Sequence, residues 1–328
     1  MAFCFMYPPN HKMLGHILYS LVLISLINVG PSFGQQTPRP QLDPAGLKEL
    51  ISLASLRVSE YKARFKDLSA DEEQKVEEYD AEGKLKRQRR IVSDLIIYQS
   101  QLDASVTVEY RNARAVDGVP VAKRDERLVN LFEKLAKAGS VKKELDRINR
   151  ESRRYDLNYS LYGLTLNQGL PLEEKARASF QFTVAGREQI NGRNVIVLQY
   201  QQVAQIPELT VKLSLPSALK GAELLYRGRL WLDAETAQLW REEQEMMLKL
   251  PSLAHPLIWM RFEFDYVSSS FGILTPQRIV AMTYSNGRTG ADNVPELLLG
   301  GKVTFEYSGF RRFDVGTPDV SLDPPAKP

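Results

Sequence analysis

The sequence predicts an α+β fold: one strongly curved antiparallel sheet of about ten strands, a half-open β-barrel, covered on its concave side by about three helices. Three observations carry this expectation. Long segments alternate apolar and polar residues with the period of a half-buried strand. Turn dipeptides, Asn191-Gly192 above all and Asp117-Gly118, separate successive segments. Helical stripes are confined to about 45–66, 124–138 and 140–155. A long sheet with few helices buries its one apolar face by curling.

Each element follows from its residues. Leu47, Leu50, Ile51, Ala54, Val58, Tyr61 and Phe65 recur at three- and four-residue steps, which gives the first helix. Glu73–Tyr79 is a strand, and the charges of 72–79 (EEQKVEEY) suit a sheet edge. Leu85–Gln99 and Val106–Ala115 continue a meander. In 124–138 Leu128, Leu131, Phe132 and Leu135 share a face, Gly139 stops the helix and Ser140 caps the next. There Val141, Leu145, Ile148, Ser152 and Tyr155 line one side. Lys142, Lys143, Arg147, Arg150, Arg153 and Arg154 form a basic side, with Glu144, Asp146 and Glu151 at pairing distance. A loop near 156–172 leads to strands at Ser179–Arg187, Arg193–Gln201, Leu209–Leu215, Glu223–Asp233, Leu239–Leu250, Leu257–Val267, Ile273–Tyr284 and Lys302–Phe313. The clearest is Leu257–Val267, where Ile258, Met260, Phe262, Phe264 and Tyr266 oppose Trp259, Arg261, Glu263 and Asp265.

The first 34 residues carry the compartment. They hold one Lys, Lys12, no acidic residue, an apolar run from Met13 to Val29 and small residues at Pro31-Ser32-Phe33-Gly34. This is the pattern of a secretory signal peptide cut after Gly34, and it predicts a periplasmic or secreted protein. Residues 35–44 read as a flexible leader, 45–315 as a single domain with a helical insertion at about 124–155, and 316–328 as a disordered tail. Cleavage removes Cys4, the only cysteine, together with His11 and His16, and leaves His255 alone. Lys12 leaves with them, so the net charge of +3 falls to +2. No disulfide, thiol nucleophile or histidine-rich metal site fits such a chain. The absence of a further long apolar run argues against a helical membrane span after cleavage.

Composition and motifs exclude much chemistry. With 43 basic and 40 acidic residues the chain lacks the charge of a dedicated nucleic-acid binder. Neither GxSxG, GxGxxG nor GxxxxGK[ST] occurs, and His255 sits in a turn without the setting of a triad. The paired carboxylates Glu72-Glu73, Glu77-Glu78 and Glu242-Glu243-Glu245 lie in charged stretches and read as solvated strand faces. Asp292 and Glu296 lack the spacing of a calcium loop. A secreted chain without disulfides fits a bacterial periplasm better than a eukaryotic extracellular space, and on that reading the sequon Asn158-Tyr159-Ser160 is a chance match. No catalytic residue, metal ligand or cofactor emerges.

What remains is the apolar face. Phe180, Phe182, Tyr226, Leu230, Met260, Phe262, Phe264 and Tyr266 point to the concave side, where a cavity under the helices would take an apolar ligand. Trp231 and Trp259 read as outward-facing. The basic side of the third helix is a second candidate, as a headgroup or partner surface.

Three hairpins carry a family resemblance: Gly186-Arg187-Glu188 to Asn191-Gly192-Arg193-Asn194-Val195, Gly228-Arg229-Leu230-Trp231-Leu232-Asp233-Ala234-Glu235-Thr236, and Phe271-Gly272-Ile273-Leu274-Thr275-Pro276. With the leader, the N-terminal helix and the meander, they resemble the LolA-like outer-membrane lipoprotein carrier superfamily and its related sigma-factor regulatory sensors. Phe310-Arg311-Arg312-Phe313 is similar to secreted acidobacterial proteins of unknown function. The resemblance implies a half-barrel that binds lipid, acyl chain or lipoprotein anchor. The alternative is an envelope interaction or sensor module with a filled core. These are strand-and-turn signatures, so they transfer no functional residue. The leader yields the first test: N-terminal sequencing of the exported protein gives a sequence starting at or near Gln35, and a membrane-bound product that retains Met1 or Met13 overturns the processing.

Overall fold

Asp43 opens the first helix, α1 (Pro44–Arg64): its carboxylate accepts the Gly46 amide at 2.8 Å and Pro44 needs no donor partner in the first turn. The structure is a computed structural model and describes residues 42–313 apart from 101, 104, 138, 158–160, 162, 207–221, 252–254 and 290–294. Residues 1–41, the sequon, the strand expected at 209–215, Asp292 and the tail lie outside the described residues, whereas Asp43 and Pro44, expected in the flexible leader, cap and open α1.

Eleven antiparallel strands form one sheet: β1 (Leu68–Tyr79), β2 (Leu85–Gln99), β3 (Thr107–Val116), β4 (Val119–Pro120), β5 (Phe180–Ile190), β6 (Arg193–Gln202), β7 (Glu223–Asp233), β8 (Leu239–Lys249), β9 (Leu257–Ser268), β10 (Leu274–Thr289) and β11 (Pro295–Arg312). Their order is β4-β3-β2-β1-β11-β10-β9-β8-β7-β6-β5, so β4 and β5 are edges and the sheet does not close into a barrel. One edge is blunted, since β4 is two residues long and ends in Pro120.

A single core draws inward-facing residues from β1, β2 and every strand from β5 to β11, together with α1. α1 packs on the face of the sheet that carries this core. The strand Leu257–Ser268 alternates as its sequence predicts, with Met260, Phe262, Phe264 and Tyr266 buried.

Three expectations are corrected. The charged strand is not an edge: β1 pairs with β2 on one side and β11 on the other. Neighbouring strands neutralise its charges, through Arg90–Glu73, Arg87–Glu78, Arg114–Asp71 and Arg111–Glu72. Acidic composition therefore marks a strand facing arginines as readily as one facing water.

The helical insertion is not on the concave side. α2 (Arg124–Ala136) and α3 (Val141–Ser152) pack through Leu131 and Ile148 on Tyr98, Val108 and Tyr110. These strand residues alternate with Leu95, Ile97, Glu109 and Arg111, which face the inner side, so the insertion covers the outer face. Strands β2 and β3 are thus buried on both faces, and apolar residues at consecutive positions, Ile96-Ile97-Tyr98, carry that signal.

The stretch expected to be a loop near 156–172 is structured. It holds 3-10 turns at Leu164–Leu166 and Leu170–Leu172, followed by a one-turn helix, α4 (Glu174–Arg177). Leu164, Leu172 and Ala176 enter the inner core, so this segment, with α1, covers the inner face.

Phe264 is 2% exposed and stacks between Phe262 and Tyr266. Phe264→Ala should cost about 3–5 kcal/mol, and Glu263→Ala, on the outer face, should stay within about 0.5 kcal/mol. Chemical denaturation checks both; equal effects would mean the facing is wrong.

Candidate functional site

The strand register sets the predicted apolar residues in adjacent rows across the inner face. One row runs Phe182, Tyr200, Gly228, Gln244, Phe262, Ala281; the next runs Val184, Leu198, Leu230, Glu242, Phe264, Ile279, Phe305; a third joins Tyr226, Met246 and Met260. Phe180, Tyr226, Leu230, Met260, Phe262, Phe264 and Tyr266 are buried, and Phe182 is half-buried beside the β5 edge. All eight belong to one packed cluster, with Phe180 edge-on to Tyr200 at 5.7 Å. Gly228 matters here: a Cβ on it would meet the Glu243 carbonyl oxygen at 1.9 Å and the Tyr200 hydroxyl at 2.7 Å, so only glycine lets the Tyr200 ring lie across β7.

The middle of the second row is a carboxylate. Glu242 is 0% exposed, between Leu230 and Phe264, where its sequence neighbours suggested a solvated face. One oxygen accepts the Gly169 amide of the covering segment at 2.9 Å, and the other has no hydrogen-bond partner. Desolvation pushes its pKa up to about 8; Glu173 adds to the rise and Lys62 opposes it. Gly169 is tightly placed as well, since it has φ of +63° and a Cβ there would lie 2.6 Å from Val58 of α1.

A second buried group anchors the start of the cover. Arg111 binds Glu72 at 2.8 Å and Glu109 at 2.6 Å, above the ring of Phe305. Glu109 also accepts the amides of Gly163 and Thr165 and the Thr165 hydroxyl, and Tyr61 of α1 donates to the Thr165 carbonyl at 2.7 Å. Burial opposes the charge on Arg111, yet Glu109 and Glu72 outweigh it and hold the guanidinium protonated. Desolvation raises the Glu72 carboxyl against the pull of Arg111. Lys62 pairs with Glu173 at the far end of the segment.

The remaining candidates separate. Glu77 and Glu78 are buried at the end of β1 beside Lys75 and Arg87, not solvated. Glu243 and Glu245 face outward and bind Arg229, Arg227 and Arg261. Trp231 does lie on the outer face, but it is buried there, donating to Glu188 at 2.9 Å beneath Arg229 and Arg241. His255 is exposed in the turn before β9. On α3 and just past its end, Lys142, Lys143, Arg150, Arg153 and Arg154 are exposed, with Lys142 paired to Asp146 and Arg154 to Glu151, while Arg147 donates to the Lys134 carbonyl. Glu144 does not serve that basic side. It turns inward and accepts from Ser100 at 2.5 Å.

The sequence signal for Glu242 and Glu109 was the inward parity of each on its strand, which the local charge concealed. The pH consequence follows from linkage. Glu242 holds its proton in the native state up to about pH 8, whereas the unfolded chain releases it near its ordinary value of 4.5. Between those values the unfolded state binds fewer protons, so stability falls as pH rises and levels off above about 8. Glu242→Gln should remove this decline, on the order of a few kcal/mol over the window. Denaturation at a series of pH values checks it; parallel curves for parent and variant would contradict it.

No family model matches the chain, and no curated protein matches it in sequence. Among solved structures, an outer membrane lipoprotein-sorting protein domain from Vibrio parahaemolyticus is similar at 10% identity and a TM-score of 0.39, covering 82% of this chain and 94% of that one. A DUF1329 family protein from Desulfovibrio piger is similar at 10% identity and a TM-score of 0.35, covering 84% and 96%. A LolA superfamily protein from Nitrosomonas europaea is similar at 7% identity and a TM-score of 0.33, covering 82% and 94%.

Proposed function

We propose that this chain is a non-catalytic protein of the bacterial envelope, periplasmic or secreted, that holds an apolar ligand against the inner face of its sheet. The ligand class is a lipid acyl chain or a lipoprotein anchor. The observation that supports this reading is the manner in which the inner face is covered. An apolar bed running across nine strands, aromatic on β5, β6, β7, β9 and β11, is capped by α1 and, beside it, by short turns. Those turns are tied down largely by hydrogen bonds from Gly163, Thr165 and Gly169 to the buried Glu109 and Glu242. Lifting this cover gives up those polar contacts and the packing of Leu164, Leu172 and Ala176, and opens the inner face to a ligand. Transfer of an acyl chain onto that face is driven by roughly 25 cal/mol per Å² before ordering costs.

One observation favours a second reading. The rings of Phe262, Phe264 and Tyr266 already stack on one another, at centroid distances of 6.1 and 6.4 Å, and all three are buried. In that reading the core stays filled and the chain is an interaction or sensor module acting through its surface, with the basic side of α3 as the contact.

Titration of the mature protein with a fluorescent fatty acid separates the two. The expected result is saturable binding, weakened by Tyr226→Asp in a variant whose circular dichroism matches the parent. Native mass spectrometry of protein isolated from its own envelope should show bound lipid. A clean ligand-free mass together with no saturable binding of any acyl probe would overturn the carrier reading and leave the module in front.

A further inference from the structure

We propose that the basic side of the helical insertion is a docking surface for an anionic lipid bilayer. The charge of the protein is unevenly placed. Residues 121–155 hold eleven Lys and Arg against six Asp and Glu, a surplus of five, while the whole chain carries +3. The remainder is therefore net acidic, and the positive charge is concentrated on α2, α3 and their flanks.

The fold turns that surplus outward. Leu145 and Ile148 of α3 pack on Tyr98, Val108 and Tyr110, and the Ser152 hydroxyl accepts the Arg111 amide of β3 at 3.1 Å. These contacts fix the rotation of the helix on the outer face of the sheet. Lys143, Arg147, Arg150 and Arg154, at steps of four, three and four, form a stripe on its opposite side. Arg147 donates to the Lys134 carbonyl, which brings the end of α2 alongside and adds the exposed Lys134 and, just past the helix, Lys137.

The acids of the insertion do not cancel this patch. Glu144 is buried and accepts from Ser100. Asp146 binds Lys142, Glu151 binds Arg154, Asp125 binds Arg124 and Glu126 binds Lys123. Among the described residues no carboxylate is bonded to Lys134, Lys137, Lys143 or Arg150, and Arg147 is bonded to a carbonyl that leaves its charge unmatched. Five cations thus face Glu133, the one acid of the insertion left without such a partner among the described residues. They stand on two neighbouring helices as a broad patch of exposed side chains, a form that meets a plane of anionic headgroups. The choice of a bilayer among anionic partners rests on the acyl-ligand reading above, since a protein that takes up an acyl chain works beside the membrane that holds it. Docking through the outer face keeps the cover, which lies on the inner face, clear of the bilayer.

The test is cosedimentation of the mature protein with vesicles of phosphatidylcholine alone or with about 30 mol% phosphatidylglycerol as the anionic lipid, run beside the fatty-acid titration. It compares the parent with Lys143→Gln/Arg150→Gln and with Lys48→Gln/Arg187→Gln, which removes two exposed charges from α1 and β5 and so has the same net charge. Circular dichroism checks that both variants are folded. The parent is expected to bind the anionic vesicles and not the neutral ones, and to lose them between about 50 and 300 mM salt, as screening requires. Lys143→Gln/Arg150→Gln should weaken binding about twentyfold, from roughly fivefold per basic residue at an anionic surface, while Lys48→Gln/Arg187→Gln stays near the parent. Equal binding to neutral and anionic vesicles, or an equal loss in both variants, overturns the patch. Retention on immobilised polyglutamate with no binding to vesicles overturns the bilayer and assigns an acidic polymer instead. Saturable fatty-acid binding without vesicle binding removes the docking surface and leaves the acyl-ligand reading standing. Vesicle binding without fatty-acid binding does the reverse.

Discussion

Arg111 is the charge around which the central sheet and its cover are organised. It is buried on β3, reaches across β2 to Glu72 on β1, and shares Glu109 with the amides of the segment that begins at Gly163. Removing Arg111 would leave two buried carboxylates without their counter-ion, a change of the kind that typically costs about 3–5 kcal/mol. The arrangement explains how a strand as acidic as β1 sits in the middle of the sheet. It also explains how the cover is held at its start without a long helix of its own: its first turn bonds to Glu109, which Arg111 fixes in place.

Much of the architecture was legible because alternation is a strong signal when one face is wet. The strand Leu257–Ser268 and the hairpin at Asn191-Gly192 emerge in the places their patterns require. Legibility failed where a strand is buried on both faces or where charges neutralise each other across strands. Residues 107–112 offer Val108 and Tyr110 to α2 and α3 while Glu109 and Arg111 serve the inner face, so their alternation has no polar phase to reveal which side is water. Residues 161–178 carry no period at all, since 3-10 turns are too short to show one, and their role is visible only through partners distant in sequence. The eight apolar candidates were found from parity alone. Glu242 and Gly169 were not, because a lone carboxylate in an apolar row looks locally like any solvated glutamate.

The two carboxylates that meet the cover differ in kind. Glu109 is fully engaged, by an arginine, two amides and a hydroxyl. Glu242 is half engaged, with one oxygen on Gly169 and the other facing apolar side chains. The start of the segment is therefore bound by charge, and its middle by a neutral acid that tolerates burial only while it keeps its proton. The cover is thus unequally held along its length, firmest beside β3 and weakest over β8, above the row where Leu230 and Phe264 lie.

The pairing of β1 with β11 has a consequence for the time order of folding. Leu68 is hydrogen-bonded in register with Arg312, so the two ends of the domain meet in the interior of the sheet. Every other neighbouring pair of strands is consecutive in the chain and can zip locally as a hairpin or longer connection. The seam between β1 and β11 cannot. It closes a loop of most of the domain, and contacts of such sequence separation are the slow ones in folding. Until the last strand is available, the sheet exists as two arms with bare central edges, β1 on one and β10 on the other, and Glu72 and Arg111 await the cover of Phe305. A chain built in this way completes its core only after its final strand has been delivered.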